Sequence, residues 1–204
     1  MNNSQKEMYC SQHPLVRYGH NKRANEVVEM VVRANPKRVL EIGCGEGFLL
    51  EKLSKKCNAE LFGAEISPER ILLAKKKGFD CIIKECDVVS LPFEDNFFDL
   101  VIASEILEHT PDYERVVGEI KRVVDGSIVI SFPNEKILTL GRLCTARFPI
   151  RYPNHVNSFK PSDFVRLIGE PLEHTTVPCL PFLFCLNFIA RYDCRKKGLV
   201  ENGN

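Results

Sequence analysis

Nine cysteines are scattered through this 204-residue chain without a single C-x-x-C pair. That lack excludes the usual zinc-ribbon and disulfide frameworks, which need close, paired spacing. Most of the thiols are expected to be small buried apolar groups in a reducing cytosol. An excess of charge of one sign is also missing: 28 Lys and Arg stand against 27 Asp and Glu, a formal net charge of +1. No global field therefore draws the chain onto nucleic acid, and nucleic acid is not a favoured partner. Long hydrophobic runs are absent too. The longest, 177–190, is too short to span a bilayer and contains Pro178 and Pro181. The stretch 1–11 is polar, so no secretory leader is expected and a cytoplasmic location is. Neither internal repeats nor a low-complexity linker divide the chain, and its length suits one domain with a full core.

What is present is alternation. Asn21 to Ala34 reads as a helix with Ala24, Val27, Val28, Val31 and Val32 on one face, ended by Pro36. Strands are predicted over 38–42, 60–66, 80–84, 97–102 and 127–132, and helices over 47–56, 68–77, 111–124 and 161–168. Ser67-Pro68 supplies a cap and a first-turn proline for the second of these helices. Two strand-like segments, 172–177 and 184–192, close the chain. Such repeated alternation predicts an α/β, doubly wound, mostly parallel seven-stranded sheet, with the closing pair adding an antiparallel edge strand. One domain over 1–204 is expected: an N-terminal segment and helix (1–36), a core (37–131), an insertion (133–160), and a C-terminal helix and strands (161–204).

The most informative stretch is Val39-Leu40-Glu41-Ile42-Gly43-Cys44-Gly45-Glu46-Gly47-Phe48-Leu49-Leu50. A buried strand leads into a three-glycine turn and then a helix start. Glycines let the backbone turn tightly and approach a ligand with no Cβ in the way. Strand, turn and helix N-terminus form the nucleotide-binding crevice of open α/β sheets. A dinucleotide fingerprint is G-x-G-x-x-G, whereas here the glycines run G-x-G-x-G. Glu41, just ahead of them, would repel a pyrophosphate but favour a ligand carrying an ammonium and a sulfonium.

This run resembles motif I, E-x-G-x-G-x-G, of the class I S-adenosylmethionine-dependent methyltransferases. The likeness extends over about 37–131, and Leu91-Pro92-Phe93-Glu94-Asp95-Asn96-Phe97-Phe98-Asp99-Leu100-Val101 is similar to that family's run into its fourth strand. It implies a Rossmann-like fold, S-adenosylmethionine as cofactor and S-adenosylhomocysteine as product. The cofactor-binding residues it implies are Glu41, Gly43, Cys44, Gly45, Gly47, Glu65, Ile66, Asp87, Val88 and Ser104. Glu65, at the end of strand two, can accept both ribose hydroxyls. Asp87, after strand three, can accept from the adenine amino group, with Val88 packed on the ring.

Ser104-Glu105-Ile106-Leu107-Glu108-His109-Thr110-Pro111-Asp112 follows strand four, where this family presents the methyl group. His109 could accept a proton from a substrate hydroxyl; alternatively the glutamate–histidine pair only shapes the loop. Further on, His155-Val156-Asn157-Ser158-Phe159-Lys160-Pro161-Ser162-Asp163-Phe164 resembles the segment of ubiquinone-biosynthesis O-methyltransferases that carries a histidine and then F-x-K-P-S-E-L. This chain lacks the residue between phenylalanine and lysine and ends the motif with Asp163-Phe164. Those enzymes share the Glu105-x-x-Glu108-His109 pattern, as do the small-RNA 3′-end methyltransferases, in which a later histidine completes a metal site. The resemblance therefore opens a divalent-cation reading for Glu105, Glu108, His109 and His155. The other reading makes Glu108 structural and His155 a pocket wall, and no metal is assigned. His109, His155 and Glu105 are the catalytic candidates.

In the insertion, Lys136, Arg142, Arg147, Arg151 and Lys160 face only Glu135 and are interleaved with Ile137, Leu138, Leu140, Leu143, Phe148 and Ile150. A connection this long points to function. It reads either as a lid or as a face for the anionic inner membrane surface over 136–151; resemblance to the ubiquinone O-methyltransferases, known as peripheral membrane enzymes, implies the second. The expected activity is methylation, O-methylation favoured, of a small hydroxylated acceptor, an amphiphilic one included, by a monomer or homodimer. N- or C-methylation, a non-catalytic S-adenosylmethionine-binding protein and a dinucleotide oxidoreductase are the alternatives, the last disfavoured by the glycine spacing.

Overall fold

The computed structural model describes residues 14–137, 139, 154–179 and 184–195. Helix α1 spans Pro14–Ala34, and β1 (Arg38–Ile42), α2 (Phe48–Ser54), β2 (Glu60–Glu65), α3 (Pro68–Lys75) and β3 (Ile82–Glu85) follow. Next come β4 (Phe98–Ser104), a 3-10 turn (Leu107–His109), α4 (Tyr113–Val123) and β5 (Val124–Pro133). After the insertion the chain forms α5 (Pro161–Leu167), β6 (Pro171–Cys179) and β7 (Phe184–Asp193).

The strands form one seven-stranded sheet in the order β3-β2-β1-β4-β5-β7-β6. From β3 to β5 every pairing is parallel. Strand β7 is antiparallel to both β5 and β6, so the reversed strand lies one place in from the edge that β6 occupies. The winding direction changes between β1 and β4. Loops leaving their carboxyl ends diverge there and open a crevice.

Parallel strands covered on both faces read as continuous apolar runs, and the pleat divides β1 to β5 between two clusters. Leu40, Ile42, Val101, Ala103, Ile128, Ile130 and Phe132 pack with α4 and with Phe164 of α5. Val39, Leu100, Ile102 and Val129 pack on the opposite face with Val27, Val28 and Val31 of α1 and Leu49, Leu50 and Leu53 of α2. Helix α4, YERVVGEIKRV, is made by burial rather than propensity. Its Val116, Val117, Ile120 and Val123 are buried, contributing roughly 1.5–3 kcal/mol each. The opposing propensity cost is up to ~0.7 kcal/mol per β-branched residue and ~1 kcal/mol for Gly118. Asp112 caps the helix, accepting from Arg115 N at 3.3 Å.

Most element ends shift by one to three residues from the sequence reading, as at β5, which begins at Val124 rather than Ser127; two of the differences have a plain cause. Helix α1 begins at Pro14 rather than Asn21; Gly19 and the polar run His20 to Arg23 interrupt the apolar period between its first turn and Ala24. Strand β3 begins at Ile82 rather than Asp80. It is an exposed edge strand, so burial imposes little pattern on it.

Candidate active site

The turn after β1 has three left-handed glycines, with φ of 64° at Gly43, 55° at Gly45 and 69° at Gly47. A Cβ at Gly43 would sit 2.6 Å from Ile106 Cδ1. The turn is fastened to β2 by one carboxylate: Gly45 N donates to Glu65 Oε2 at 2.8 Å, and Ser67 N donates to Oε1 at 2.9 Å. Each carboxylate oxygen has a second lone pair, so Glu65 can still accept from a ligand.

Glu41 shares the Val39 face of β1 and is buried. Leu50 N–H donates to its carboxylate, while Oε2 has no partner among the described residues. Burial pushes this carboxyl well above the usual carboxylate range. A cationic group arriving at the glycine turn would relieve that cost, so the residues present fit a ligand with an ammonium. Cys44 contributes backbone only. Its sulfur is in the core, 2.7 Å from where a Cβ at Gly63 would lie, and burial raises its thiol pKa far out of reach of ionisation. Ile66 is 63% exposed beside the buried Glu65. Asp87 is exposed and accepts from Val89 N at 3.1 Å, and Val88 packs partly against the core. The Ser104 hydroxyl lies 2.9 Å from that of Ser131.

Across the crevice, Glu105 leaves β4 with φ 56°. Both its oxygens are engaged: Arg23 Nη1 lies 3.0 Å from Oε2, and Asn187 Nδ2 donates to Oε1 at 2.7 Å. Arg23 also meets His20 Nδ1 at 3.0 Å. Burial, with the Arg23 charge second, lowers the His20 pKa to about 3, so His20 is a neutral acceptor. Sequence reasoning passed over Arg23 and Asn187. The first did leave a signal: Arg23 precedes Val27 and Met30 by one and two helical turns, on the buried stripe.

His109 and His155 meet, their ring centroids 4.7 Å apart and their planes at 77°. Backbone bonds arrange this, because Val156 N and Asn157 N both donate to the Glu108 carbonyl, at 2.8 and 3.1 Å. The Asn157 side chain donates to the carbonyls of Leu107 and Thr110, at 3.1 and 2.7 Å. His109 Nδ1 is 2.9 Å from the Asn154 carbonyl, and His155 Nδ1 is 2.5 Å from Glu135 Oε1. A carbonyl can only accept, so neutral His109 carries its proton on Nδ1 and its lone pair on Nε2. Burial lowers the His109 pKa. Beneath the pair, Glu108 is 1% exposed, and neither of its oxygens has a partner among the described residues. Burial first, and the Glu105 charge second, push its carboxyl well above the usual range. Sequence reading missed Asn154, Asn157 and Glu135, whose roles appear only once the loops meet.

Lys136 and Lys160 are exposed; Arg142, Arg147 and Arg151 lie outside the described residues. Among the described residues no helix is long and apolar enough to cross a membrane.

A family model described as a methyltransferase domain matches residues 40–130. Demethylmenaquinone methyltransferase of Thermus thermophilus is 32% identical over 114 residues, which are 52% of this chain and 52% of that protein. Norajmaline N-methyltransferase of Rauvolfia serpentina is 34% identical over 94 residues, 43% of this chain and 32% of that one. The chain thus spans about half the length, or less, of these curated relatives. Among solved structures, magnesium protoporphyrin IX methyltransferase from Synechocystis PCC 6803 with bound SAH has a TM-score of 0.73 at 19% identity. That match covers 94% of this chain and 93% of that one and is a likeness of fold.

Proposed function

We propose that this chain, similar over residues 40–130 to a methyltransferase domain, is a class I S-adenosylmethionine-dependent methyltransferase and methylates a small hydroxylated acceptor held between the end of β4 and residues 154–157. The observation that carries this reading is the buried Glu41 oxygen without a partner at a left-handed glycine turn. S-adenosylmethionine, when bound, supplies a methyl group already activated on a sulfonium. The work left to the chain is alignment, which can account for most of the rate.

Glu41 would hold the ammonium of the methionyl part, and Gly43, Gly45 and Gly47 would let the backbone come close. Glu65 would take the ribose hydroxyls and Asp87 the adenine amino group, with Ile66 and Val88 covering the ring. Ser104 would stand beside the methyl position. His109, neutral at pH 7 and with its lone pair on Nε2, can accept the acceptor's hydroxyl proton. His155, oriented by Glu135, would form the second wall. Glu105 would act through position: its carboxylate is spent on Arg23 and Asn187, so it anchors the turn that carries His109. The basic and apolar residues of 136–151 support an amphiphilic or anionic acceptor.

A second reading, N-methylation, is favoured by the name of the Rauvolfia relative. An amine acceptor also needs a proton acceptor at the same place. Calorimetry with S-adenosylhomocysteine against NAD tests the cofactor class. Transfer of labelled methyl to catechols, polyprenyl phenols, acidic sugars, fatty acids and amines tests the acceptor. Binding of the first ligand and labelling of a hydroxylated compound are expected; binding of NAD alone would overturn the reading.

A further inference from the structure

Glu41 is 4% exposed near the carboxyl end of β1, two residues ahead of the glycine turn. We infer that it meets the cofactor as a neutral acid and gives up one proton to solvent on pairing with the ammonium of the methionyl part. This rests on the methyltransferase reading above and adds a change of charge to it.

The two oxygens of Glu41 are unequal. Oε2 has no partner among the described residues, so the Leu50 N–H bond falls on Oε1. One N–H is little compensation for a buried charge, and a carboxylate so placed takes up a proton rather than bear the cost. The nearby cations are committed elsewhere. From α1, Arg23 lies 3.0 Å from both Glu105 Oε2 and His20 Nδ1. From the loop after α3, Lys77 Nζ lies 3.1 Å from the centre of the Phe48 ring and 3.4 Å from Glu51 Oε2. Both act on Glu41 through their charge, and neither hydrogen-bonds Oε2. On β2, Glu65 adds repulsion; it is fixed beside the turn by Gly45 N and Ser67 N. The thiols of Cys44, in the turn, and Cys81, ahead of β3, have pKa values raised by burial and stay neutral. Burial first, with the Glu65 charge adding to it, pushes the Glu41 carboxyl well above the usual range.

In the unliganded protein the proton sits on Oε2. On binding, that O–H bond breaks, the proton goes to water, and the carboxylate left behind pairs with the ammonium. Affinity for a ligand that carries an ammonium therefore rises with pH as long as the unliganded Glu41 is protonated. The slope is up to about tenfold per pH unit and levels off above the unliganded pKa. A ligand with the adenosine part alone leaves Glu41 neutral and shows no such slope. Glu41 thus selects for the ammonium more strongly at neutral pH than in acid.

The test is calorimetric titration of the full chain with S-adenosylhomocysteine between pH 5.5 and 7.0. That range lies below the ~7.7–8.0 of an α-amino group, so the ligand's ammonium stays charged. At each pH two buffers of unlike ionisation enthalpy are used, and the difference in heat counts the protons released. At pH 5.5, roughly half to one proton per ligand is expected, and affinity should rise about fivefold or more across the range. 5′-Methylthioadenosine keeps the adenosine but lacks the ammonium and the carboxylate; it should bind with no release and with an affinity constant to about twofold. Glu41→Gln cannot ionise. It should bind S-adenosylhomocysteine without release, and at pH 7.0 about fivefold or more weakly than wild type. Circular dichroism checks that the variant is folded; if it is not, the wild-type proton count against that with 5′-methylthioadenosine decides. Release of less than half a proton by the wild type, or equal release with 5′-methylthioadenosine or from the folded variant, overturns the inference, while binding of S-adenosylhomocysteine keeps the methyltransferase reading. Binding of neither ligand overturns both.

Discussion

Arg23, on the first helix, stands 3.0 Å from Glu105, the residue that leaves β4 in a left-handed conformation. The arginine side chain is 5% exposed and the glutamate 21%. A buried pair broken by removing one partner typically costs 3–5 kcal/mol, because the other charge stays behind. Arg23→Leu should therefore destabilise the fold by about 3 kcal/mol in urea unfolding. It should also lower kcat through the loosened turn while leaving S-adenosylhomocysteine affinity within a few-fold. In a double-mutant cycle with Glu105→Gln, a coupling energy near zero would show that the pair carries no net interaction.

The glycine turn allows a sharper test. At Gly45, with φ 55°, a β-branched residue is strongly disfavoured. Gly45→Val should abolish S-adenosylhomocysteine binding in calorimetry while the far-ultraviolet circular dichroism spectrum remains that of an α/β fold. Equal affinity in variant and wild type would remove the turn from the cofactor site.

Glu65→Ala is expected to weaken cofactor binding more than Asp87→Ala. Glu65 braces two backbone N–H groups, of Gly45 and Ser67, besides its assigned ribose contact. Asp87 accepts from one, Val89 N, and is exposed. Each hydrogen bond lost to a charged group is worth about 1.5–3 kcal/mol. The opposite order of dissociation constants would reverse the assignment of the two loops.

His20 should make stability pH-dependent. Its folded pKa, lowered to about 3 by burial and by Arg23, lies below the unfolded value of about 6.5. Between those two values the unfolded chain binds a proton that the folded chain refuses. This contribution to stability is thus complete above pH ~6.5 and is lost as pH falls, at up to about 1.4 kcal/mol per unit. Glu41 and Glu108, raised by burial, act in the opposite direction, losing stability as pH rises above the unfolded glutamate value. The measurement is therefore a difference. Urea unfolding of wild type and His20→Gln at pH 7 and pH 5 should show a drop larger in the wild type by about 2 kcal/mol. Parallel drops would mean that His20 titrates normally.

Periodicity is local, and it made most of this fold legible. Strand β1 spans Arg38–Ile42 as read, and the apolar runs of β4 and β5 announced strands buried on both faces. The glycine turn and its preceding glutamate were equally visible, because a left-handed turn and a buried carboxylate leave marks on the residue types themselves. Tertiary structure alone decided what depends on chain reversal. Only the fold inserts β7 between β5 and β6, brings Asn187 to Glu105, and stitches Asn157 to the turn over 107–110. Glu135 and His155 illustrate the limit. Glu135 stood in the sequence as one charged residue of a long connection and His155 as a catalytic candidate with no assigned orienting partner, and their 2.5 Å contact exists because β5 and the loop ahead of α5 end at the same crevice. Residue type and spacing along the chain carry intrinsic conformation and burial, whereas the partner of a buried polar group is set by which distant segments close on it.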